Sequence, residues 1–390
     1  MFKNVVVMVF SIVLSLVACE FGLRVYDRLL SWQYPEEEGD RPFFEYDSLL
    51  GWKFEPNTSG YFTSKDNRFR TLVKINSEGL RDDEYGYAKK IGVKRILLLG
   101  NSVTAGLEVE KESVIDTRLE RYLSQHGRYE VINAGVRGYG TDQLYLWLKH
   151  EGYKYEPDIV IYVFFANDPM NNITIHYRSA KFGKPYFTLD DKDELVLNGV
   201  PVPKKFEPFD KLLTSDKKNQ HVYEKIPEEQ FIKSKNKTER LLWQFQLGRL
   251  VINALETLEE NTFMKHVLVK LGLSKFENVK PEDPELAQYR WRITQVIIRN
   301  MKAFSDDLGI KFLVYESTPG TGNPVHYSST PLNRLCNDLG VNYLESYKEF
   351  YNISQGKMVF RFPHDVHWNA RGHDMAAKLL YEYLRANGWI

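Results

Sequence analysis

Four short apolar runs, each closed by a turn rich in Gly or Asn or by a gap in the pattern, constrain this chain more than any other feature. They span Arg95 to Leu99, Val131 to Asn133, Asp158 to Phe165 and Lys311 to Tyr315. Near-continuous apolar runs of this length suit strands buried on both faces, the situation of a parallel sheet. Helical spacing of apolar residues marks Ser113 to Gln125, Thr141 to Glu151, Pro284 to Leu308 and Ala370 to Asn387. Strand alternating with helix predicts an α/β fold built on a doubly wound parallel sheet. Ligands bind such sheets beyond the carboxyl ends of the strands, so chemistry is expected just after each run.

The third and fourth runs stand about 145 residues apart, far beyond an ordinary crossover of about a dozen. An inserted cap is therefore expected at residues 171–279. Its first part, from Asn171 to about Lys235, mixes Pro, Lys and Asp with short apolar pieces. Its second, Glu239 to Leu271, has helical spacing in Leu241, Leu242, Phe245, Ile252 and Leu255. Tyr177, Tyr186, Phe187, Phe206 and Phe209 are candidates to stack on sugar rings, although ordinary packing explains each equally well. Residues 31–92 are polar and turn-rich, with a strand expected at Thr71 to Ile75, and form a lead-in wrapped on the main domain at residues 93–390.

At the amino terminus, Val5 to Ala18 is almost wholly apolar, preceded by Lys3 and followed by Cys19, Glu20 and Arg24. A run this short needs Phe21 and Leu23 to approach the roughly 20 residues of a spanning helix, with Tyr26 at the interface. The first expectation for residues 1–30 is an uncleaved signal anchor. The alternatives are a cleaved signal peptide and a lipoprotein modified at Cys19, which Leu16, Val17 and Ala18 precede. All three export readings place the bulk of the chain outside the cytoplasm.

Lys+Arg and Asp+Glu both number 52, so no net charge steers the chain toward nucleic acid, which is set aside as a partner. The two cysteines, Cys19 and Cys336, exclude a disulfide framework and lack zinc-site spacing. That argues against a zinc enzyme and no cofactor is expected, although His and carboxylates brought together by the fold could still bind a metal.

After the first run the chain reads Gly100, Asn101, Ser102, Val103, Thr104, Ala105, Gly106. A Ser in a tight strand-to-helix turn projects its hydroxyl from the sheet edge beside free backbone N–H groups. Alone, such a turn is more often only an N-cap, and it lacks the Gly-Lys-Ser/Thr of a phosphate loop. The second run leads into Asn133, Ala134, Gly135, Val136, Arg137, Gly138, Tyr139, Gly140, whose glycines let backbone approach a ligand or an oxyanion. The third ends in Ala166, Asn167, Asp168, Pro169, where an Asn amide is a further donor or simply an Asx turn. Near the carboxyl terminus stand His364, Asp365, Val366, His367, Trp368, Asn369 and, four residues on, His373. A Ser nucleophile needs an imidazole base oriented by a carboxylate, and Asp365 with His367 supplies both.

These four segments, in this order, resemble the SGNH (GDSL-like) hydrolases, whose blocks carry Ser, Gly, Asn and an Asp/His pair. The lead-in also looks like that of membrane-anchored bacterial members. The resemblance covers about residues 94–169 and 284–388. It implies a flavodoxin-like sheet of about five strands with flanking helices, Ser102 as nucleophile, and His367 as base oriented by Asp365. By the same likeness Ser102, Gly138 and Asn167 form the oxyanion hole; Gly138 stands five residues after Asn133, and Gly135 is the alternative. The expected activity is a serine esterase acting on an O-acyl, in the first instance O-acetyl, ester through an acyl-enzyme, with an acylated polysaccharide as one candidate partner. Two departures matter. Asn101 replaces the usual Asp before the nucleophile, and one residue, Val366, separates acid from base where many members have two. The shorter spacing looks like that of SGNH-type enzymes of polysaccharide O-acetylation, which keeps an O-acetyltransferase open. A non-catalytic scaffold that binds glycan or a partner is the alternative of a different class, and His364 and His373 are spare histidines.

Overall fold

The structure, a computed structural model, describes residues 11, 15–22, 43–64, 68–174, 182–204, 284–317, 331–362 and 365–390. The chain divides into two units. One comprises residues 37–227 and 284–390; the other comprises residues 1–36 and 228–283, of which residues 11 and 15–22 are described and are helical. Among the described residues no helix is long and apolar enough to cross a membrane. Most of Val5 to Ala18, and the helical stretch expected at Glu239 to Leu271, lie outside the described residues.

The larger unit opens with two antiparallel hairpins, β1 (Phe44–Asp47) with β2 (Gly51–Phe54) and β3 (Ser59–Thr63) with β4 (Arg70–Lys74). The main sheet follows: β5 (Val93–Gly100), β6 (Arg128–Gly135), β7 (Ile159–Phe164), then, after the short hairpin β8 (Tyr186–Leu189) and β9 (Leu195–Asn198), β10 (Lys311–Glu316) and β11 (Asn342–Glu345). Its five strands are all parallel and run in the order β6-β5-β7-β10-β11. Counted along the chain, that is the 2-1-3-4-5 order of flavodoxin-like sheets, with the switch point between β5 and β7.

The alternation of side chains explains why both faces had to be covered. Ile96 and Leu98 of β5, Val131 of β6 and Ile159, Ile161 and Val163 of β7 join one apolar cluster with α2 (Ile115–Leu123) and the last helix, α8 (Ala370–Ala386). Their neighbours Leu97, Leu99, Ile132, Val160 and Tyr162 are equally buried but point the other way. On that side α3 (Thr141–His150) packs against α5 (Pro284–Asp307). Between these come the one-turn helices α1 (Ser102–Ala105) and α4 (Asp168–Asn171); α6 (Pro331–Asp338) and α7 (Tyr347–Ser354) flank β11.

The lead-in is built into this unit. Arg81 is buried, with Nη1 donating to the Ala105 carbonyl at 3.0 Å and Nη2 to that of Val109 at 2.6 Å, so it satisfies carbonyls at the exit of α1. Asp82 accepts the Asn133 N–H at 2.7 Å and faces Lys111 Nζ at 2.7 Å. Burial, with the neighbouring charge of Asp116, pushes the Asp82 carboxyl up to about 7 against the opposing pull of Lys111. Tyr186 and Phe187, offered above as sugar-stacking side chains, are instead buried; Phe187 lies 6.0 Å from the Tyr145 ring of α3. A β-strand hides alternate residues on a covered face, and β8 is covered on both. Tyr177, Phe206 and Phe209 lie outside the described residues.

Candidate active site

The ends of β5, β6 and β7 lie side by side, and the residues after them make three walls of one site. At the first, Asn101 turns the chain from β5 into α1 and its two amide atoms do different work. Oδ1 accepts the Val103 N–H at 3.1 Å and caps the turn. Nδ2 donates to Asp168 Oδ1 at 2.9 Å and to Asn167 Oδ1 at 3.2 Å. An Asp here would cap equally well but has nothing to donate, so the Asn is matched to the buried carboxylate of Asp168. That carboxyl also accepts from Tyr162 Oη at 2.8 Å and the Phe165 N–H at 3.0 Å. Burial raises it to about 7 although those three donors pull it down.

At the second wall Asn133 ties β6 to α1, its Nδ2 donating to the Thr104 carbonyl at 2.9 Å and to Asp116 Oδ1 at 2.7 Å. Its Oδ1 accepts the Gly135 N–H at 2.9 Å. Gly135 has therefore already committed its donor, and a Cβ there would stand 2.4 Å from the Ala105 nitrogen, so its role is to let α1 lie on the strand. Gly138 differs. It is buried, has φ of +83°, and its N–H has no hydrogen-bond partner among the described residues. Orphaned N–H groups in buried residues are rare. The preceding carbonyl, of Arg137, accepts from the indole Nε1–H of Trp52 at 3.0 Å, and Tyr139 Oη donates to the Trp52 carbonyl at 2.5 Å.

The third wall is Asn167, exposed at the end of β7. Its Oδ1 is occupied by Asn101 Nδ2, which leaves its own Nδ2 with no partner among the described residues. The Ser102 N–H, at the start of α1, is likewise unpaired among them.

The fourth element closes over Ser102 from the carboxyl-terminal side. Arg361 and Trp368 form an isolated antiparallel bridge that pins both ends of the intervening loop. Trp368, wholly buried, stacks on Phe350 at 5.8 Å, and Asn369 caps α8 by accepting the N–H groups of Arg371 and Gly372. Held so, His367 points Nε2 at Ser102 Oγ, 2.8 Å away, and Nδ1 at Asp365 Oδ1, 2.5 Å away. The same Asp365 oxygen accepts the His367 backbone N–H at 3.0 Å, a turn that one intervening residue allows. Burial alone would raise the Asp365 carboxyl, but the hydrogen bonds and charge of His367, with the charge of Arg137, hold it down at about 2. An ionised carboxylate only accepts, so Nδ1 carries the proton and Nε2 presents its lone pair to the Ser102 hydroxyl. His367 is 8% exposed and Ser102 is half-buried, so the pair is shielded yet reachable.

His373 sits behind Gly106, edge-on to Trp368; burial, with Arg81, His367 and Arg118 nearby, depresses it to about 3 and keeps it neutral. His364 lies outside the described residues. Among the described residues no group of three His, Cys, Asp or Glu side chains is placed to hold a metal ion. Four residues beside the site carried no sequence signal: Trp52, Glu108, Arg137 as a side chain, and Asp168 as the partner of Asn101. Each acts through a long-range contact that local pattern does not encode.

No family profile and no curated protein matches this chain. Among solved structures it is similar to a mutant of Axe2, an acetyl-xylooligosaccharide esterase from Geobacillus Stearmophilus, with 12% identity over 77% of this chain and 97% of that one and a TM-score of 0.38. It is similar to the psychrotrophic esterase EstA from Pseudoalteromonas sp., with 11% identity over 76% and 100% and a TM-score of 0.37. It is also similar to a two-domain esterase (CEX) active on acetylated mannans, with 11% identity and a TM-score of 0.35; 75% of this chain is covered, but it spans only about half, 49%, of that protein. Scores this low leave fold and chemistry to be read from the strand order and from the geometry around Ser102.

Proposed function

We propose that this chain is a serine hydrolase of ester bonds of the SGNH type, with Ser102, His367 and Asp365 as its catalytic triad. One observation carries the reading: Ser102 Oγ, both ring nitrogens of His367 and Asp365 Oδ1 form an unbroken hydrogen-bonded line of 2.8 and 2.5 Å. A structural histidine has no need of that order, whereas nucleophilic catalysis does.

In the proposed reaction the Ser102 hydroxyl attacks the ester carbonyl carbon while His367 Nε2 takes its proton. The imidazolium so formed is stabilised by Asp365 at Nδ1. The carbonyl oxygen becomes an oxyanion, for which the unpaired donors are the N–H groups of Ser102 and Gly138 and the Asn167 amide. As the tetrahedral intermediate collapses, the C–O bond to the alcohol breaks and His367 returns the proton to the leaving oxygen. An acyl-enzyme on Ser102 remains, and a second pass with water releases the acid.

A second reading has a specific feature in its favour. The single residue between Asp365 and His367 resembles the spacing of SGNH-type enzymes of polysaccharide O-acetylation, and a sugar hydroxyl would then replace water in the second half. The apolar Val5 to Ala18 segment supports an extracytoplasmic, membrane-tethered enzyme in either case. Labelling with a fluorophosphonate tests the core claim: modification that requires Ser102 is expected, and folded protein that fails to label would leave the non-catalytic scaffold standing. Acetate released to water, against acetate moved to an oligosaccharide acceptor, separates hydrolase from transferase.

A further inference from the structure

His367 is faced by two carboxylates. Besides Asp365, Glu108 Oε1 lies 3.5 Å from the same ring nitrogen, Nδ1. Glu108 sits beyond α1, and its side chain is 1% exposed. Burying a carboxylate is costly unless it is paired. Arg137 supplies the pair, with Nη1 2.7 Å from Glu108 Oε1 and the guanidinium lying over the Phe62 ring at 5.3 Å. Glu108 Oε2 has no hydrogen-bond partner among the described residues. An ion pair made only to tie down the loop after β6 would be served by a partially exposed acid on the Arg137 side. It gives no reason for the buried oxygen to stand beside the imidazole.

Among the described residues the charged and titratable groups around His367 are few. Asp365 is on its own loop, where Arg361 Nη1 donates to the Asp365 carbonyl at 2.8 Å. His373 is on α8, neutral, with Arg81 and Arg118 near it. Glu108 and Arg137 come from the segments after α1 and β6. Among the described residues, Asp365 and Glu108 alone bring negative charge within 4 Å of Nδ1.

We propose that Glu108, held in place by Arg137, is a positioning residue for the reaction: a second anion beside Nδ1 that steadies the imidazolium formed when Ser102 gives up its proton. It rests on the serine-hydrolase reading above. The two carboxylates divide the work. Asp365 fixes the tautomer through a short hydrogen bond of 2.5 Å, and Glu108 adds field without competing for the proton, because its nearest oxygen stands 3.5 Å from Nδ1.

The test uses the full-length chain and the rate of Ser102 labelling by a fluorophosphonate as a function of pH, which needs no knowledge of the natural ester. Glu108→Gln keeps shape and an acceptor for Arg137 while removing the charge. The acidic limb, which reports loss of the proton from His367, is expected to move to lower pH by about half a unit to one unit, since an opposite charge within a few ångströms favours the protonated form. Glu108→Asp, which keeps the charge, is expected to hold the limb nearer the wild-type position. In an Asp365→Asn background, Glu108→Gln is expected to cost at least about fivefold more in labelling rate than in the wild type, the non-additivity of residues sharing one partner. A limb that stays in place, or moves upward, in folded Glu108→Gln overturns the proposal. Should that variant lose its cooperative melt, Arg137→Met removes the counter-charge instead, and the limb is then expected to rise; an unmoved or lowered limb there also overturns it. Wild-type protein that never labels at Ser102 would instead defeat the serine-hydrolase reading itself.

Discussion

The proposed oxyanion site can be probed from the lead-in, through Trp52→Phe. Trp52 lies on β2, outside the sheet, and is 2% exposed. Its Nε1–H holds the Arg137 carbonyl at 3.0 Å. The peptide between Arg137 and Gly138 is planar and trans, so its C=O and N–H point in opposite directions. Fixing the carbonyl on Trp52 therefore aims the Gly138 N–H the other way, and that is the unpaired donor assigned to the oxyanion. Phe keeps a ring against Tyr139, whose centroid is 5.7 Å from that of Trp52, but it has nothing to donate. Stranding the part-buried Arg137 carbonyl costs at most the roughly 1–3 kcal/mol of a buried group, and the smaller ring adds roughly 1–2 kcal/mol of lost packing. The fold is expected to survive with a lowered Tm. Removing an oxyanion donor outright costs about 10²–10³ in kcat; a peptide free to rotate still offers its N–H part of the time, so a loss of roughly 10- to 100-fold is expected, with KM little changed. Steady-state kinetics on a small activated acetyl ester, beside a thermal melt, measures both effects. If Tm falls while kcat stays within about twofold of wild type, Trp52 only packs and the aiming argument is wrong.

Ser102→Ala is expected to fold normally and to lose about 10⁴ or more in kcat, because the residue contributes little packing and all of the nucleophilicity; turnover like that of the wild type would sink the assignment. Asn101→Asp replaces the donor to Asp168 with a second acid. A carboxyl raised to about 7 in the fold, against about 3.9 unfolded, binds protons that the unfolded chain has released, so its stability cost grows as pH rises through that window. The variant is therefore expected to melt further below wild type at pH 8 than at pH 5, and a gap that is equal or reversed would show that Asn101 and Asp168 are not coupled. Cell fractionation is expected to place the protein with the membrane and its larger unit outside the cytoplasm, and a chain beginning near Ser31 is expected to be soluble. Metabolic lipid label on Cys19 would replace the anchor with a lipoprotein, and protection of the whole chain in the cytoplasm would refute export.

What the sequence made legible follows the range of the forces involved. A strand covered on both faces must be apolar along its length, so β5, β7 and β10 announce themselves, and the helices between them carry a period set by their own geometry. The fifth strand, Asn342–Glu345, was expected in number but not in place. Among the described residues it is an edge strand paired with β10 alone, and its largely half-buried residues make no apolar run. Ser102, Asp365 and His367 could be singled out as a proposed triad because each sits in a short segment whose local chemistry is unusual, and the turn that brings Asp365 to His367 closes within three residues. Glu108, Arg137 and Trp52 are another matter. Glu108 meets Arg137 across 29 positions, and Trp52 meets the Arg137 carbonyl across 85. Nothing nearby in the chain tells a buried Glu from a solvated one, or a packing Trp from one that donates to a loop. Their partners are fixed only once the strand order brings the end of β6 beside α1 and lays the lead-in over both. The proposed nucleophile, base and acid can thus be singled out from local pattern, while the residues proposed to aim them become visible only through the topology of the sheet that carries them.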